Sequence, residues 1–295
     1  MTLATLLWRK DSRPGMRVRP SKLALLLSVL ASCSPSPQVP EPAPYTPAGD
    51  TVQAFDDRPV PHRAEWFERV MKDPLQNIDL VEAATIIASH RLDTPRASSA
   101  IPRFLHPVLQ KVRAKLRPSS TPDQMIDALN EHLLPALRRA AAGELRWLSE
   151  TLGSEDGECA VNSLMYLIAG DAIGLRLEPV LVPSHALVCF SSGELRRNIE
   201  TTDRGQHMTS EEVRMLLSRD PTSINLLPEI PEALEKALHP STRRQFVAAL
   251  LCRGAKERQK GEEDLELAAR LAPDFHGPPT MLGGYWALRD NFARA

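Results

Sequence analysis

The chain has 295 residues, 42% hydrophobic and 5% aromatic, and its 36 basic and 37 acidic side chains give a formal net charge of −1. That balance leaves no electrostatic footprint for nucleic acid, and the length allows one sizeable domain plus a small appendage. Once Cys33 is set aside, Cys159, Cys189 and Cys252 form an odd set, which excludes a complete disulfide framework, and their spacings of 30 and 63 residues match no zinc-ligand pattern.

The N-terminal elements read as export machinery. Met16 to Lys22 carries three positive charges and no acid, and nine residues follow, Leu23 to Ala31, apolar except for Ser28. A charged segment feeding a short apolar run is the layout of a secretory signal. A membrane-spanning helix needs about 20 apolar residues, so this run is too short to be one. The run ends Leu30-Ala31-Ser32-Cys33, which resembles the bacterial lipobox and makes Cys33 the expected lipidated first residue of the mature chain. Met16 is a second candidate for the start of translation. From Cys33 to about residue 54 prolines recur at 35, 37, 40, 42, 44 and 47. Each fixes φ and removes a donor, so a stiff extended tether is expected. Ser34, in place of aspartate at the second mature position, points to the outer membrane rather than the inner.

Residues 55–220 read as the main domain. Asp79-Leu-Val-Glu82 has the capping-box spacing and opens a helix with Leu80, Ala83, Ala84 and Ile87 on one face. Ile101 to Leu116 carries Phe104, Leu105, Val108 and Val112 at helical steps, and Thr121-Pro-Asp-Gln124 opens another helix with Met125, Ile126, Leu129 and Leu133 as its apolar side. These lead-in helices read as a plain bundle.

The pattern changes after Gly153. Glu158 to Gly174 reads as a buried helix ended by Gly174, with Asp156 as candidate N-cap and Cys159 in the first turn. Leu177–Val182, His185–Phe190 and Leu195–Glu200 read as strands, with a turn at Ser191-Ser-Gly193. The expected fold class is α+β, mostly helical, with the cysteine-bearing helix packed on a small antiparallel sheet. Residues 221–295 return to helix.

A thiol at a helix N-terminus sits where unpaired N–H groups and the macrodipole favour its anion. Imidazole on an adjacent strand could take the thiol proton and later protonate a leaving group, with a carboxylate orienting the ring. The midpoint of positions 185 and 200 is 192.5, which lies in the expected turn, so His185 and Glu200 are expected to stand level on neighbouring strands. Asp203 is the reserve carboxylate. Cys189, four residues from His185, gives a conceivable Cys159–His185–Cys189 metal site, although packing is the plainer reading of both Cys189 and Cys252. His207 is a candidate lining residue; His62, His90, His106, His132, His239 and His276 read as surface or capping residues.

Gly157 to Leu175 resembles the cysteine helix of bacterial transglutaminase-like proteins, Val182-Pro-Ser-His-Ala-Leu-Val188 their histidine strand, and Asn198 to Gly205 their acidic segment. The lead-in from Ile78 is similar to the SirB1-type subgroup. The resemblance spans about residues 60–215. It implies a papain-like site with Cys159 as nucleophile, His185 as general base and acid, and Glu200 as orienting group. It implies no cofactor, and no calcium-binding loop is apparent. The final helices, through Leu282, Gly283, Trp286 and Phe292, are similar to a tetratricopeptide unit and offer a surface for a protein partner. The expected activity is hydrolysis, rather than transfer, of an amide or peptide bond in an envelope substrate. The competing expectation is a binding module that keeps the fold without turnover.

Overall fold

The computed structural model describes residues 61–72, 78–92, 100–140, 147–148, 158–182, 185–192, 195–202, 204–218, 238–253 and 261–275. The expected signal, Cys33, the tether, Asp156, Asp203 and the segment from His276 onward lie outside these residues.

Four helices come first: α1 (Arg63–Lys72), α2 (Leu80–Leu92), α3 (Ala100–Lys115) and α4 (Pro122–Ala140). Their starts are written in the sequence. Asp79 Oδ1 accepts from the Val81 and Glu82 N–H groups at 2.9 and 3.1 Å. Thr121 and Gln124 close a reciprocal capping box, each side chain accepting from the other residue's backbone N–H. Met125, Ile126, Leu129 and Leu133 of α4 and Leu105, Leu109 and Val112 of α3 are buried as their spacing requires.

The next helix, α5 (Glu158–Ile173), is the centre of the molecule. It is apolar nearly all round, so it must be covered on all sides. Helices α2, α3 and α4 pack against it, with strands β1 and β2 (ranges below) covering its remaining face. Leu164, Met165, Tyr166 and Leu167 are wholly buried, and each such apolar side chain contributes on the order of 1.5–3 kcal/mol. The helix ends in a Schellman motif. Gly174, at φ 74°, donates to Asp171 O at 3.1 Å, and Leu175 N–H reaches Gly170 O at 2.9 Å. This termination turns the chain straight into the sheet. A Cβ on Gly170 would meet Leu175 O at 2.8 Å, so the close return needs glycine there.

The sheet is an antiparallel meander in the order β1 (Leu177–Val182), β2 (His185–Ser192), β3 (Leu195–Ile199) and β4 (His207–Met208). Side chains alternate across it. Leu177, Ala186, Val188, Phe190 and Ile199 join the main core with α5. Val180, Val182, Leu187 and Cys189 form a second core on the opposite face, closed by Val213 and Leu238. Val213 comes from α6 (Ser210–Ser218), whose start is the capping box of Thr209 and Glu212.

The last described helices are α7 (Arg243–Cys252), capped by Thr242 and Gln245, and α8 (Gly261–Leu271). They pack on each other, and α7 also lies against α2 and β1. Ser241 N–H donates to Pro179 O at 2.7 Å, and Arg244 Nη2 to Val70 O at 2.7 Å. A buried ion pair, Arg63 with Asp264, ties α1 to α8. The architecture is the expected α+β, mostly helical with a small antiparallel sheet. No described helix is long and apolar enough to cross a membrane.

Candidate active site

Cys159 is the second residue of α5, so it sits in the first turn, at the positive end of the helix dipole. The residue is buried, 2% exposed. His185 opens β2, opposite Val182 in the β1–β2 register. Its Nε2 lies 2.5 Å from Glu200 Oε2, with the histidine side chain 17% exposed and the carboxylate 3%. The thiol is in hydrogen-bonding contact with His185. Three residues expected to meet do meet, from one helix, one strand and the turn just past the next strand, where the chain leaves β3 one residue before the expected Glu200.

They meet by a different register from the expected one. Ser192 pairs with Leu195 and Val188 with Ile199, so the β2–β3 hairpin is centred between residues 193 and 194. Ser191 and Ser192, expected in the turn, belong to β2. Extending the register puts Glu200 opposite Leu187, not His185. A shift of two residues keeps both side chains on the same face, and diagonal neighbours remain within reach of a long side chain.

The carboxylate is held as firmly as the imidazole. Glu200 Oε1 accepts from the Thr202 N–H at 2.7 Å and the Thr202 hydroxyl at 2.6 Å, leaving Oε2 for His185. The Glu200 N–H donates to Gln206 O at 2.9 Å. Two α5 side chains hold this turn to the cysteine-bearing helix. Asn162 Nδ2 donates to Thr201 O at 3.0 Å, and Ser163 Oγ lies 3.2 Å from both Thr201 Oγ1 and Ala186 O. From α4, Asn130 Nδ2 donates to Gly205 O at 2.8 Å while Asn130 Oδ1 accepts from the Tyr166 hydroxyl at 2.7 Å. Gly205 has φ 67°, and a Cβ there would lie 2.1 Å from the Asn130 side chain.

Electrostatics follow from these contacts. Burial pushes the Cys159 thiol up, but the hydrogen bond to His185, the positive charge of Arg253 and that of His185 outweigh it, so the thiol titrates below its ordinary range. Burial likewise disfavours charge on His185, yet its hydrogen bonds to Cys159 and Glu200 raise the imidazole to about 9. Burial would raise Glu200, and the hydrogen bond and charge of His185 together with Thr202 hold it low instead. All three shifts favour the ionised forms: thiolate, imidazolium and carboxylate in a row.

Sequence reasoning missed Arg253. Its Nη2 donates to Cys159 Sγ at 3.4 Å across a separation of 94 residues. It also missed Thr202, although a hydroxyl two residues past a candidate carboxylate is a recognisable local acceptor-to-donor spacing. Nothing in the sequence marked Arg253.

The other candidates fall elsewhere. Cys189 packs in the second core, its Sγ 3.5 Å from Phe190 O and 3.4 Å from Ser191 Oγ. Cys252 is buried on α7. Among the described residues no cluster of three His, Cys, Asp or Glu side chains suits a metal ion. His207 is exposed on β4. His62 Nδ1 accepts from the Ala64 N–H at 3.4 Å, in the capping position expected of it. A cavity of about 620 Å³ lies between α3 and α4, lined by residues such as Phe104, Pro107, His132 and Pro135, and neither Cys159 nor His185 borders it.

Comparison with curated proteins and with solved structures finds no match. A family model described as the transglutaminase-like superfamily matches residues 100–251, which contain α3 to α6, the whole sheet and nearly all of α7. Just over half of the chain lies in that match, and the chain belongs to the transglutaminase-like superfamily.

Proposed function

We propose that this chain is a thiol enzyme that cleaves an amide or peptide bond through an acyl-thioenzyme, by hydrolysis rather than transfer. The observation that carries the reading is the row Glu200–His185–Cys159, in which a buried carboxylate takes Nε2 of the ring that also meets the thiol. With Nε2 engaged, Nδ1 is the nitrogen left for sulfur.

In this mechanism the Cys159 thiolate attacks the substrate carbonyl carbon. The S–C bond forms as the C=O π pair moves to oxygen. The Cys159 N–H, at the start of the helix, is a natural donor to that oxyanion. Collapse restores the carbonyl and breaks the C–N bond, and His185 gives its proton to the departing amine. Water then adds to the thioester, His185 takes a proton from it, and release of the carboxylic acid returns thiolate and imidazolium. Glu200 holds the ring in the orientation both transfers need.

The site of action proposed is the cell envelope. The charged segment before Leu23, the short apolar run and Cys33 support export and lipid anchoring, and Ser34 supports an outer-membrane address. The substrate is then a peptide or protein within reach of the proline tether, such as a peptidoglycan stem peptide or a protein terminus. The helical lead-in supports a SirB1-type relationship, and the terminal helices, similar to a tetratricopeptide unit, offer a site for a protein partner.

The test is capture of the acyl-enzyme. The wild-type chain, Cys159→Ala and His185→Ala are incubated with p-nitrophenyl acetate, quenched in acid and weighed as intact protein. One acetyl adduct, mapped to Cys159 and missing from Cys159→Ala, is expected; equal acylation of wild type and Cys159→Ala would sink the mechanism. A second reading, a binding module without turnover, draws on the 2% exposure of Cys159. It expects no adduct in any form and an intact phenotype for Cys159→Ala.

A further inference from the structure

Arg253 is the residue immediately after α7, where the chain leaves helical geometry at φ −66° and ψ 134°. It lies two residues beyond the matched family segment. Its N–H still bonds Ala249 O, so the backbone is fixed while the side chain leaves the helix end. The C-terminal end of a helix favours a cation, and α7 supplies one there. Helix α7 is itself pinned to β1, α1 and α2, through Ser241, Arg244 and the packing described above. The guanidinium is therefore delivered to Cys159 by a rigid element from the far end of the sequence.

Two nitrogens of this guanidinium matter. Nη2 donates to Cys159 Sγ at 3.4 Å. Nη1 is buried and has no hydrogen-bond partner among the described residues. A buried donor left open beside a nucleophile costs free energy unless a ligand fills it. Because guanidinium is planar and its two terminal nitrogens are adjacent, a donor that opens next to the sulfur opens next to any carbonyl the sulfur attacks. The titratable and charged groups that act on the sulfur include His185 from β2 and Arg253, just past α7, with Glu200 behind His185.

We propose that Arg253 is a further catalytic residue, holding the Cys159 thiolate through Nη2 and donating through Nη1 to the oxygen of the substrate carbonyl. The inference rests on the acyl-thioenzyme reading above. As the thiolate adds to carbon, the π pair arrives on an oxygen already facing a charged N–H. That interaction strengthens only in the tetrahedral state, where it lowers the barrier. On this reading the C-terminal helix pair completes the active site rather than standing beside it.

The experiment uses the full chain as wild type, Arg253→Met and Arg253→Lys, each checked for native circular dichroism. Thiolate absorbance in the ultraviolet is titrated against pH, with Cys159→Ala subtracted, and acylation by p-nitrophenyl acetate is measured alongside. The methionine variant is expected to form its thiolate at higher pH than wild type, so that at about pH 6 its thiolate fraction and acylation rate fall about tenfold or more. The lysine variant keeps the charge and is expected to restore most of the low-pH thiolate. Its maximal acylation rate remains reduced about 10-fold or more, with KM little changed, because a single ammonium does not reproduce the fork. Titration curves and maximal rates of both variants that overlay wild type would overturn the role of Arg253 and leave the acyl-thioenzyme reading standing. A wild type with no thiolate below the ordinary thiol range would bring both down.

Discussion

His185 Nε2 and Glu200 Oε2 stand 2.5 Å apart, although the strand register places Glu200 opposite Leu187. The contact survives because the offset is two residues, which keeps both side chains on one face. It is also exclusive, since Thr202 occupies the other carboxylate oxygen. On the proposed mechanism, Glu200→Gln keeps the shape and loses the charge that stabilises imidazolium. Turnover is expected to fall about 10²-fold or more. A Glu200→Gln variant that acylates and deacylates at the wild-type rate would exclude Glu200 as the orienting group.

The pH dependence follows from the same row. His185 is raised to about 9, above the ordinary imidazole value of 6.5. On the proposed mechanism its charged form supplies the proton for the leaving amine, so kcat/KM on an amide is expected to decline as pH rises through about 9. The acid limb belongs to the thiolate and lies below the ordinary thiol range, because the Cys159 pKa is lowered. Stability moves with the same signs. The His185 contribution is complete below the unfolded imidazole value and is lost as pH rises through about 9, while the Glu200 contribution is lost as pH falls through its depressed value. Glu200→Gln is expected to move the alkaline limb to lower pH, measured as kcat/KM across the range. An unmoved limb would detach that limb from His185.

The turn that carries Glu200 is locked by Asn130 from α4. Gly205→Ala forces a Cβ into the Asn130 side chain at a positive φ. A destabilisation of about 1–3 kcal/mol is expected from the overpacking alone, read as a lower urea midpoint. The displaced turn is expected to reduce turnover in the folded fraction as well, and unchanged kinetics there would show that Glu200 is held by Thr202 and Gln206 without Asn130.

Arg63 and Asp264 form a pair with side chains only 11% and 4% exposed, joining the first described helix to the last. Removing one partner strands a buried charge. Asp264→Ala is expected to cost about 3–5 kcal/mol, seen as a marked drop in thermal midpoint. A loss below about 1 kcal/mol would show that water reaches Arg63 in the variant and replaces the pair.

The sequence by itself determined the local structure. Capping boxes at Thr121 and Thr209, the Asp79 cap and the glycine stop at Gly174 act through residues a few positions apart, and each forms the element its spacing implies. It also pointed to Cys159, His185 and Glu200 as neighbours, because a cysteine-bearing helix followed by a short hairpin packs the one on the other, and the three do come into contact. Tertiary structure decided the rest. Burial on the two cores fixes which face each side chain takes but does not distinguish registers two residues apart, so the pairing of Val188 with Ile199 was decided only in the assembled sheet. Arg253 reached Cys159 only because α7 docks on α2 and β1, and a contact spanning 94 residues carries no local signal. The charge state of the thiol likewise belongs to the folded molecule, since burial opposes it and only the assembled partners outweigh that opposition.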